Sequence, residues 1–510
     1  MPDRRSVLPL GLALAAALAL SFAITRLEPA PSSATSSAGP ISPVSTEPGA
    51  ARAPAARPRS SGPLRWIAAG GGGTPELNQV QLEQDLELAI ETFAPSGPGL
   101  VLFAGGAGSA SVQVLAQGRT PDPLVSELGE LLAPRIGRGS RYRATHLAPD
   151  GPASAEAITS ALEGALTDGD DPLTFFFGGH GEGGETPTDS HLALFGAHDL
   201  WVDDLAVLLD ELGEHRTLRL VVASCFSGGF GEIAFDGADA RRGPARTPRC
   251  GLFATTWDRE SAGCDPNPDR AQQDGYSLHF LQGLRHRDRQ GRWLPDEDID
   301  FDRDGRVSLL EAHARARIAG RSFDVPTTTS ERWLRHVAGE DPAVGADLPP
   351  PPWPEEQAVV GALEIELSLA GPLARERRER RARALAQLDE ELTALGEEIE
   401  LVTLELSAQL LHRWPALDDP WHPDYAAALG ERTQIATFLS ESPLRARWIE
   451  LVREQGALHE RRDALVLELA PLLRLERATT NLALAARVAA DGGDAWHRYQ
   501  DLLACERGRL

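Results

Sequence analysis

Lysine is absent from this chain, so all 50 of its basic residues are arginine. That excludes a Walker-type phosphate loop, a Schiff-base enzyme and a Ser–Lys dyad, each of which needs a side-chain amine. Cysteine is scarce: Cys225, Cys250, Cys264 and Cys505 are the whole complement of 4, too few for a disulfide-stapled scaffold. Positive charge is outnumbered, 50 basic residues against 75 acidic, and the net charge of −25 argues against nucleic acid or anionic lipid as the main partner. What the chain does have is room. At 510 residues and 42 % apolar content it can build more than one domain and a sizeable core.

The N-terminus reads as a targeting segment. Asp3-Arg4-Arg5 precedes a mostly apolar run, Val7–Ile24, followed by Arg26. Residues 1–26 are therefore expected to be a signal peptide or membrane anchor, with Ser21-Phe22-Ala23 offering a cleavage site, and the rest of the chain to be exported. Residues 27–63 are dominated by Ala, Pro, Ser and Gly and read as a disordered linker. Folded sequence is expected over 64–340, a Pro-rich linker over 341–354 and a helical region over 355–510.

Chemistry concentrates at two apolar runs that break into glycine turns. Leu173–Phe177 (LTFFF) runs into GGHGEGG, and Leu218–Ala223 (LRLVVA) runs into SCFSGGF. Both have the length and composition of buried parallel strands. Between them Leu205, Leu208, Leu209 and Leu212 share one helical face. The stretch predicts a β–α–β unit, whose strand C-termini point the same way and are where open α/β sheets place ligands. His180 and Cys225 sit just past those ends. A Cys and a His brought together there suggest a thiolate nucleophile and its proton-transfer partner. Ser224 and Ser227 are the rival nucleophiles, but neither lies in a Gly-x-Ser-x-Gly elbow. Cys250 and Cys264 bracket the next strand and its following loop; they either form a disulfide or remain two free thiols.

The segments GGHGEGG, HDLWVDDLAVLLDEL, ASCFSGGF and LFATTWDRESAGC, in this order, resemble the legumain family of cysteine endopeptidases and, more broadly, the caspase-like fold, over about residues 66–338. The resemblance implies that Cys225 attacks the scissile carbonyl and that His180 protonates the leaving amine. It also implies an oxyanion hole from the N–H groups of Gly181 and Cys225. The chain departs from the family pattern at the specificity pocket. Gly179 stands where relatives have Asp, Ala107 and Gln113 where they have Asn and Arg, and Ala223 where they have Glu. Asp258 and Glu260 are the nearby acids left to bind substrate, where they would select Arg, the other reading being solvated loop residues. Strict selection of Asn at P1 is not expected.

Asp300–Glu311 carries oxygen ligands at the positions of an EF-hand loop: Asp300, Asp302, Asp304, the Arg306 carbonyl, Ser308 and Glu311, with Gly305 at the sharp turn. A Ca2+ site is the expectation, in a half-motif, because the residues before the loop do not look helical. Leu385, Leu388, Leu392, Leu395, Ile399, Val402 and Leu406 then form a coiled-coil seam. Leu444–Leu475 reads as a second helix kinked at Pro471, and the pair is expected to form either an antiparallel hairpin or a self-association surface.

The expected fold is α/β: a caspase-like, mostly parallel sheet flanked by helices, followed by a helical coiled-coil or hairpin region. The expected function is a Cys–His endopeptidase acting on protein or peptide substrates, exported and possessing a membrane tether if the leader is retained. A transpeptidase with the same acyl-enzyme is a variant. The rival is a non-catalytic calcium-binding interaction module.

Overall fold

The structure, a computed structural model, describes residues 62–107, 111–115, 122–132, 140–212, 216–339, 348–349, 351–419 and 422–510. The N-terminal leader and nearly all of the linker at 27–63 lie outside these residues. Among the described residues, no single helix is long and apolar enough to cross a membrane. The chain forms two compact units. The larger comprises Arg57–Gly118, Gly139–Leu385 and Leu465–Leu510, and the smaller includes Arg119–Arg138 and Ala386–Ala464.

The strands of the larger unit are β1 (Trp66–Gly71), β2 (Gly99–Phe103), β3 (Ser111–Leu115), β4 (Ser140–Ala144), β5 (Leu173–Glu182), β6 (His191–Ala193), β7 (Leu200–Trp201), β8 (Leu218–Ala223), β9 (Arg249–Phe253) and β10 (Thr327–Thr328). The central sheet has the order β10-β9-β8-β5-β1-β2. Every pairing from β9 to β2 is parallel, and only the β10 edge is antiparallel. β3 and β4 make a separate hairpin.

The sheet is apolar on both faces because both are covered. Phe176 pairs with Val221 and Val221 with Leu252, and all three lie in one core with Leu86 and Phe93 of α1 (Val80–Phe93). One residue along, Phe175, Phe177, Leu220 and Val222 face the opposite core. There they meet Ile158 and Leu162 of α3 (Ala155–Thr167) and Leu205 and Leu209 of α4 (Val202–Glu211). Alternation with a period of two and burial on both sides is what a parallel sheet between helix layers requires. Each buried Phe contributes about 1.5–3 kcal/mol of transfer free energy. α3 starts where Ser154 accepts the Ala157 N–H, an N-cap bond. Ahead of α1, Pro75–Leu77 is a short 3-10 turn, and the α-helix begins at Val80.

Helices α5 (Tyr276–Leu284), α6 (Leu309–Ala319), α7 (Thr329–Ala338) and α8 (Pro354–Leu367) complete the first half of this unit. The C-terminal residues were expected to belong to a separate helical arm, but they return to the sheet. α13 (Gly493–Glu506) buries Tyr499, Leu502 and Leu503 in the same core as Leu252 and Phe280. This return delivers Cys505 to β9. Cys250 is disulfide-bonded to Cys505, with Cα atoms 6.0 Å apart, and not to Cys264. Cys264, like Cys225, is a free thiol.

The two long helices are α9 (Gly371–Arg413) and α12 (Pro443–Asp491). In the smaller unit Arg447 pairs with Glu398 and Arg462 with Asp389. In the larger unit Arg381 pairs with Glu468 and Arg378 with Glu476. Partner numbers fall on one helix as they rise on the other, so the two run antiparallel within one chain. Along the expected seam Leu388, Leu395 and Leu406 are buried and Leu385, Leu392, Ile399 and Val402 are half-buried; Ile399, Val402 and Leu406 share a core with Leu444, Trp448 and Val452 of α12. α12 remains helical through Pro471 and on to Asp491. The smaller unit also contains α10 (Tyr425–Gly430), α11 (Arg432–Glu441) and α2 (Pro123–Leu132), the last a helix not anticipated from the sequence. Its Leu128 and Leu131 pack on Leu406, Leu410 and Trp414.

Candidate active site

Register sets the site. Gly178 of β5 lies opposite Ala223 of β8, so the next two residues of each strand bring His180 level with Cys225 at the carboxyl ends of neighbouring parallel strands. The two turns touch: a Cβ built on Gly181 would stand 2.4 Å from the Cys225 carbonyl oxygen. Only glycine permits that approach. β5 then leaves the sheet and pairs antiparallel with β6, His180 opposite Ala193, which holds the His180 backbone at the sheet's edge. The nucleophile turn is equally constrained. Phe226, directly after Cys225, has φ of 56°, a left-handed conformation unusual for a bulky residue. The Phe226 N–H donates to the Arg259 carbonyl at 2.7 Å.

The imidazole is fixed from one side. His180 Nε2 lies 2.8 Å from the Leu77 carbonyl oxygen and 3.0 Å from Gln79 Oε1. Both are acceptors, so the network assigns the proton to Nε2 and leaves a lone pair on Nδ1. That nitrogen faces Cys264 Sγ at 3.7 Å. Burial lowers the His180 pKa below its usual value, against the opposing effects of the Leu77 contact and of Glu182, so the ring is neutral at neutral pH.

The Cys225 sulfur accepts the Ser261 N–H at 3.2 Å and lies 3.6 Å from the Ser261 carbonyl oxygen. Burial pushes the thiol up to about 12, and Glu260 and Asp324 add to the rise against the Ser261 N–H. The resting group is a thiol, not a thiolate. Among the described residues no hydrogen bond joins His180 to Cys225. Ser261 is held in turn by Asp324. One Asp324 oxygen accepts Ser261 Oγ at 2.9 Å and the Ala262 N–H at 2.8 Å; the other accepts the Tyr276 N–H at 2.9 Å and Ser322 Oγ at 2.8 Å.

The other candidate residues are placed as follows. Ala223, half-buried, ends β8 on the strand that carries Cys225. Asp258 and Glu260 are exposed in the loop after β9. Asp258 accepts Thr256 Oγ1 at 2.6 Å, whereas the charge of Glu260 acts on both free thiols. Gln113 is buried on β3, where its N–H donates to the Asn78 carbonyl and it bridges Gln79. Ala107 is exposed.

Sequence reasoning missed Leu77, Gln79, Ser261, Cys264 and Asp324. Leu77 and Ser261 act through backbone atoms, which leave no trace in residue type. Gln79 and Asp324 come from segments distant in sequence that carry no motif. Cys264 had a signal, its position three residues after Ser261 in the same loop, but was left open between a disulfide with Cys250 and a free thiol; it is free.

The acidic loop lies apart from this cluster in the sequence. Asp300, Asp302 and Asp304 bring one carboxylate oxygen each within 4.8 Å of one another. A 3-10 turn at Asp296–Asp298 precedes the loop, so the half-motif has a helix only on its C-terminal side. Ser308 and Glu311 form a capping box for α6. Glu311 accepts the Phe301 N–H at 2.7 Å with one oxygen and the Ser308 N–H at 2.8 Å with the other. Asp304 carries an ion pair to Arg509. Arg306 lies in the loop with its N–H on Asp304 at 3.0 Å.

Compared with known proteins, the chain matches no family model and no curated sequence. The functional reading therefore rests on the residues and their geometry.

Proposed function

We propose that this protein is an exported cysteine endopeptidase of caspase-like fold, similar to the legumain family, acting through Cys225 and His180. The observation that carries the reading is the register that sets the two residues level at adjacent strand ends. The reaction is acyl transfer. Nε2–H is committed to Leu77 and Gln79, so the Cys225 proton goes to Nδ1 of His180. The sulfur then attacks the scissile carbonyl carbon. The N–H groups of Cys225 and Gly181 receive the developing oxyanion, a stabilisation of about 3–4 kcal/mol per donor lost. His180 returns the proton to the leaving amine, and the thioester is cleaved by a water that His180 deprotonates. High resting pKa values confine thiolate formation to the bound state, where substrate displaces water and brings the thiol to the imidazole. Gln79 positions the ring, and Ser261 with Asp324 positions the sulfur.

Ala223 contributes only a methyl group to the end of its strand, and the acid nearest in effect is Glu260. The pocket is therefore open to P1 side chains other than Asn, with basic ones favoured over acidic ones. The test is direct. Cys225→Ala should abolish peptide hydrolysis and His180→Ala nearly so, with thermal unfolding little changed. Undiminished turnover in Cys225→Ala rules the mechanism out.

The Asp300–Asp304 cluster is read as a Ca2+ site, since its donors are all oxygen and suit a hard cation. Asp300 and Asp302 offer carboxylate oxygens to such an ion beside Asp304. Glu311 joins them only by giving up its backbone donors at Phe301 and Ser308, and Arg509 competes for Asp304.

A further inference from the structure

Two free thiols and one imidazole share this site, and the reading above uses only one thiol. Cys264 Sγ stands 3.7 Å from the single unprotonated nitrogen of His180. Cys225 Sγ is held on the backbone of Ser261, three residues before Cys264. Both cysteines are half-buried residues. Between them in sequence lies Gly263, at φ of 145° and with open space where a Cβ would stand. Gly263 itself is not hemmed in, and the span of three residues from Ser261 to Cys264 is at most ~10 Å. The remaining two cysteines are already joined, Cys250 to Cys505. Disulfides of that kind persist in oxidising compartments. A free thiol pair at a catalytic centre in such a compartment is a reactive arrangement.

We propose that Cys225 and Cys264 form a reversible oxidative lock: a hydroperoxide oxidises Cys225, and Cys264 captures the product as a Cys225–Cys264 disulfide. The inference rests on the peptidase reading only in taking Cys225 as the nucleophile whose loss silences the site. The chemistry is two steps. The Cys225 thiolate attacks one peroxide oxygen, forming S–OH and releasing the other oxygen as hydroxide or alkoxide. Cys264 then gives its proton to Nδ1 of His180, and its sulfur attacks Cys225 Sγ. The S–S bond forms, the S–O bond breaks, and hydroxide leaves as water with a proton from the imidazolium. Two electrons pass from the two sulfurs to the peroxide. The resting thiols are protonated, so the lock is slow until His180 takes a proton, and the same imidazole serves both reactions. Capture as a disulfide protects Cys225 from the irreversible sulfinic and sulfonic stages.

The test uses the full chain and hydrogen peroxide at a small molar excess, with alkylation of remaining thiols and non-reducing peptide mapping by mass spectrometry. The expected product is a Cys225–Cys264 cross-linked peptide accounting for most of the oxidised Cys225, with hydrolysis lost and then restored by dithiothreitol. Cys264→Ser should yield no cross-link. Its Cys225 should instead be trapped by dimedone and proceed to sulfinic acid, beyond rescue by thiol. Circular dichroism of Cys264→Ser checks its fold, and the wild-type map stands on its own if that variant does not fold. Oxidation of wild-type Cys225 to sulfinic acid while Cys264 remains alkylatable overturns the inference. The cross-link is read by mass alone. Its appearance in a chain that cleaves no peptide leaves the lock standing and removes the peptidase reading. Cleavage without a cross-link does the reverse.

Discussion

Removing the Cys250–Cys505 bridge should weaken the larger unit by several kcal/mol. The bond joins positions 255 residues apart, from β9 of the central sheet to the last helix, α13. In the chain-entropy account, a loop of that length restricts the unfolded chain by roughly 5 kcal/mol, an upper figure because unfolded chains retain some structure. Cys250 is fully buried, so a freed thiol stays in its place as a small apolar group. Cys505 is half-buried, and serine fits there at little packing cost. Cys505→Ser should therefore report mainly the lost cross-link, about 2–5 kcal/mol. The assay is guanidinium unfolding of three samples: oxidised wild type, wild type with reductant, and Cys505→Ser. The last two should share one midpoint, well below the first. Thiol titration of the denatured, unreduced chain should find two free thiols, Cys225 and Cys264. An unchanged midpoint in Cys505→Ser, or a mapped bridge from Cys250 to Cys264, refutes the reasoning.

Calcium should raise the melting temperature by mass action on the folded state, with an affinity near the ~10⁻⁴–10⁻³ M of extracellular sites; calorimetry with no calcium heat, and no effect of Asp300→Ala, would reduce the loop to an acidic turn. A fluorogenic peptide library varied at P1 should show no confinement to Asn, because a pocket lacking polar partners cannot discriminate a buried amide. Glu506 supplies a pH signature. It is buried and accepts Thr329 Oγ1 at 2.6 Å and the Ser330 N–H at 2.8 Å, and burial pushes its carboxyl up to about 7 from an ordinary 4.5. The folded state thus holds a proton that the unfolded chain has lost. Its contribution is complete below pH 4.5 and declines as pH rises towards 7, by roughly 3 kcal/mol at most. Glu506→Gln should flatten that part of the pH–melting curve; an unchanged slope would mean the carboxylate is charged throughout.

The β–α–β unit was legible because its residues obey short-range rules. LTFFF and LRLVVA are strands wherever a sheet is covered on both faces, and the leucines of α4 fall on one helical face. His180 and Cys225 followed from them, since glycine turns after parallel strands fix which ends meet. The seam of α9 was legible for the same reason, and its antiparallel partner only as one of two arrangements. Long-range returns were not legible. Nothing in the composition of α13 says that Tyr499 and Leu502 fill the core against the central sheet, so the partner of Cys250 was out of reach. Pro123–Leu132 was too short, and its partners too far along the chain, for its pattern to stand out. The second tier of the site was hidden because it is made of carbonyls and N–H groups. Leu77 holds His180 and Ser261 holds Cys225 through backbone atoms, which any residue supplies.

The central claim is that Cys225 is a nucleophile activated in the bound state by His180, although at rest it is a half-buried thiol bonded to Ser261. A peptide acyloxymethyl ketone tests this most directly, because it alkylates a thiol only after binding as a substrate. Mapping of the labelled full chain should place the modification on Cys225, at a rate that collapses in His180→Ala, while iodoacetamide labels the resting protein slowly. Label on Cys264 instead, or equal labelling of Cys225 with and without His180, would contradict the account.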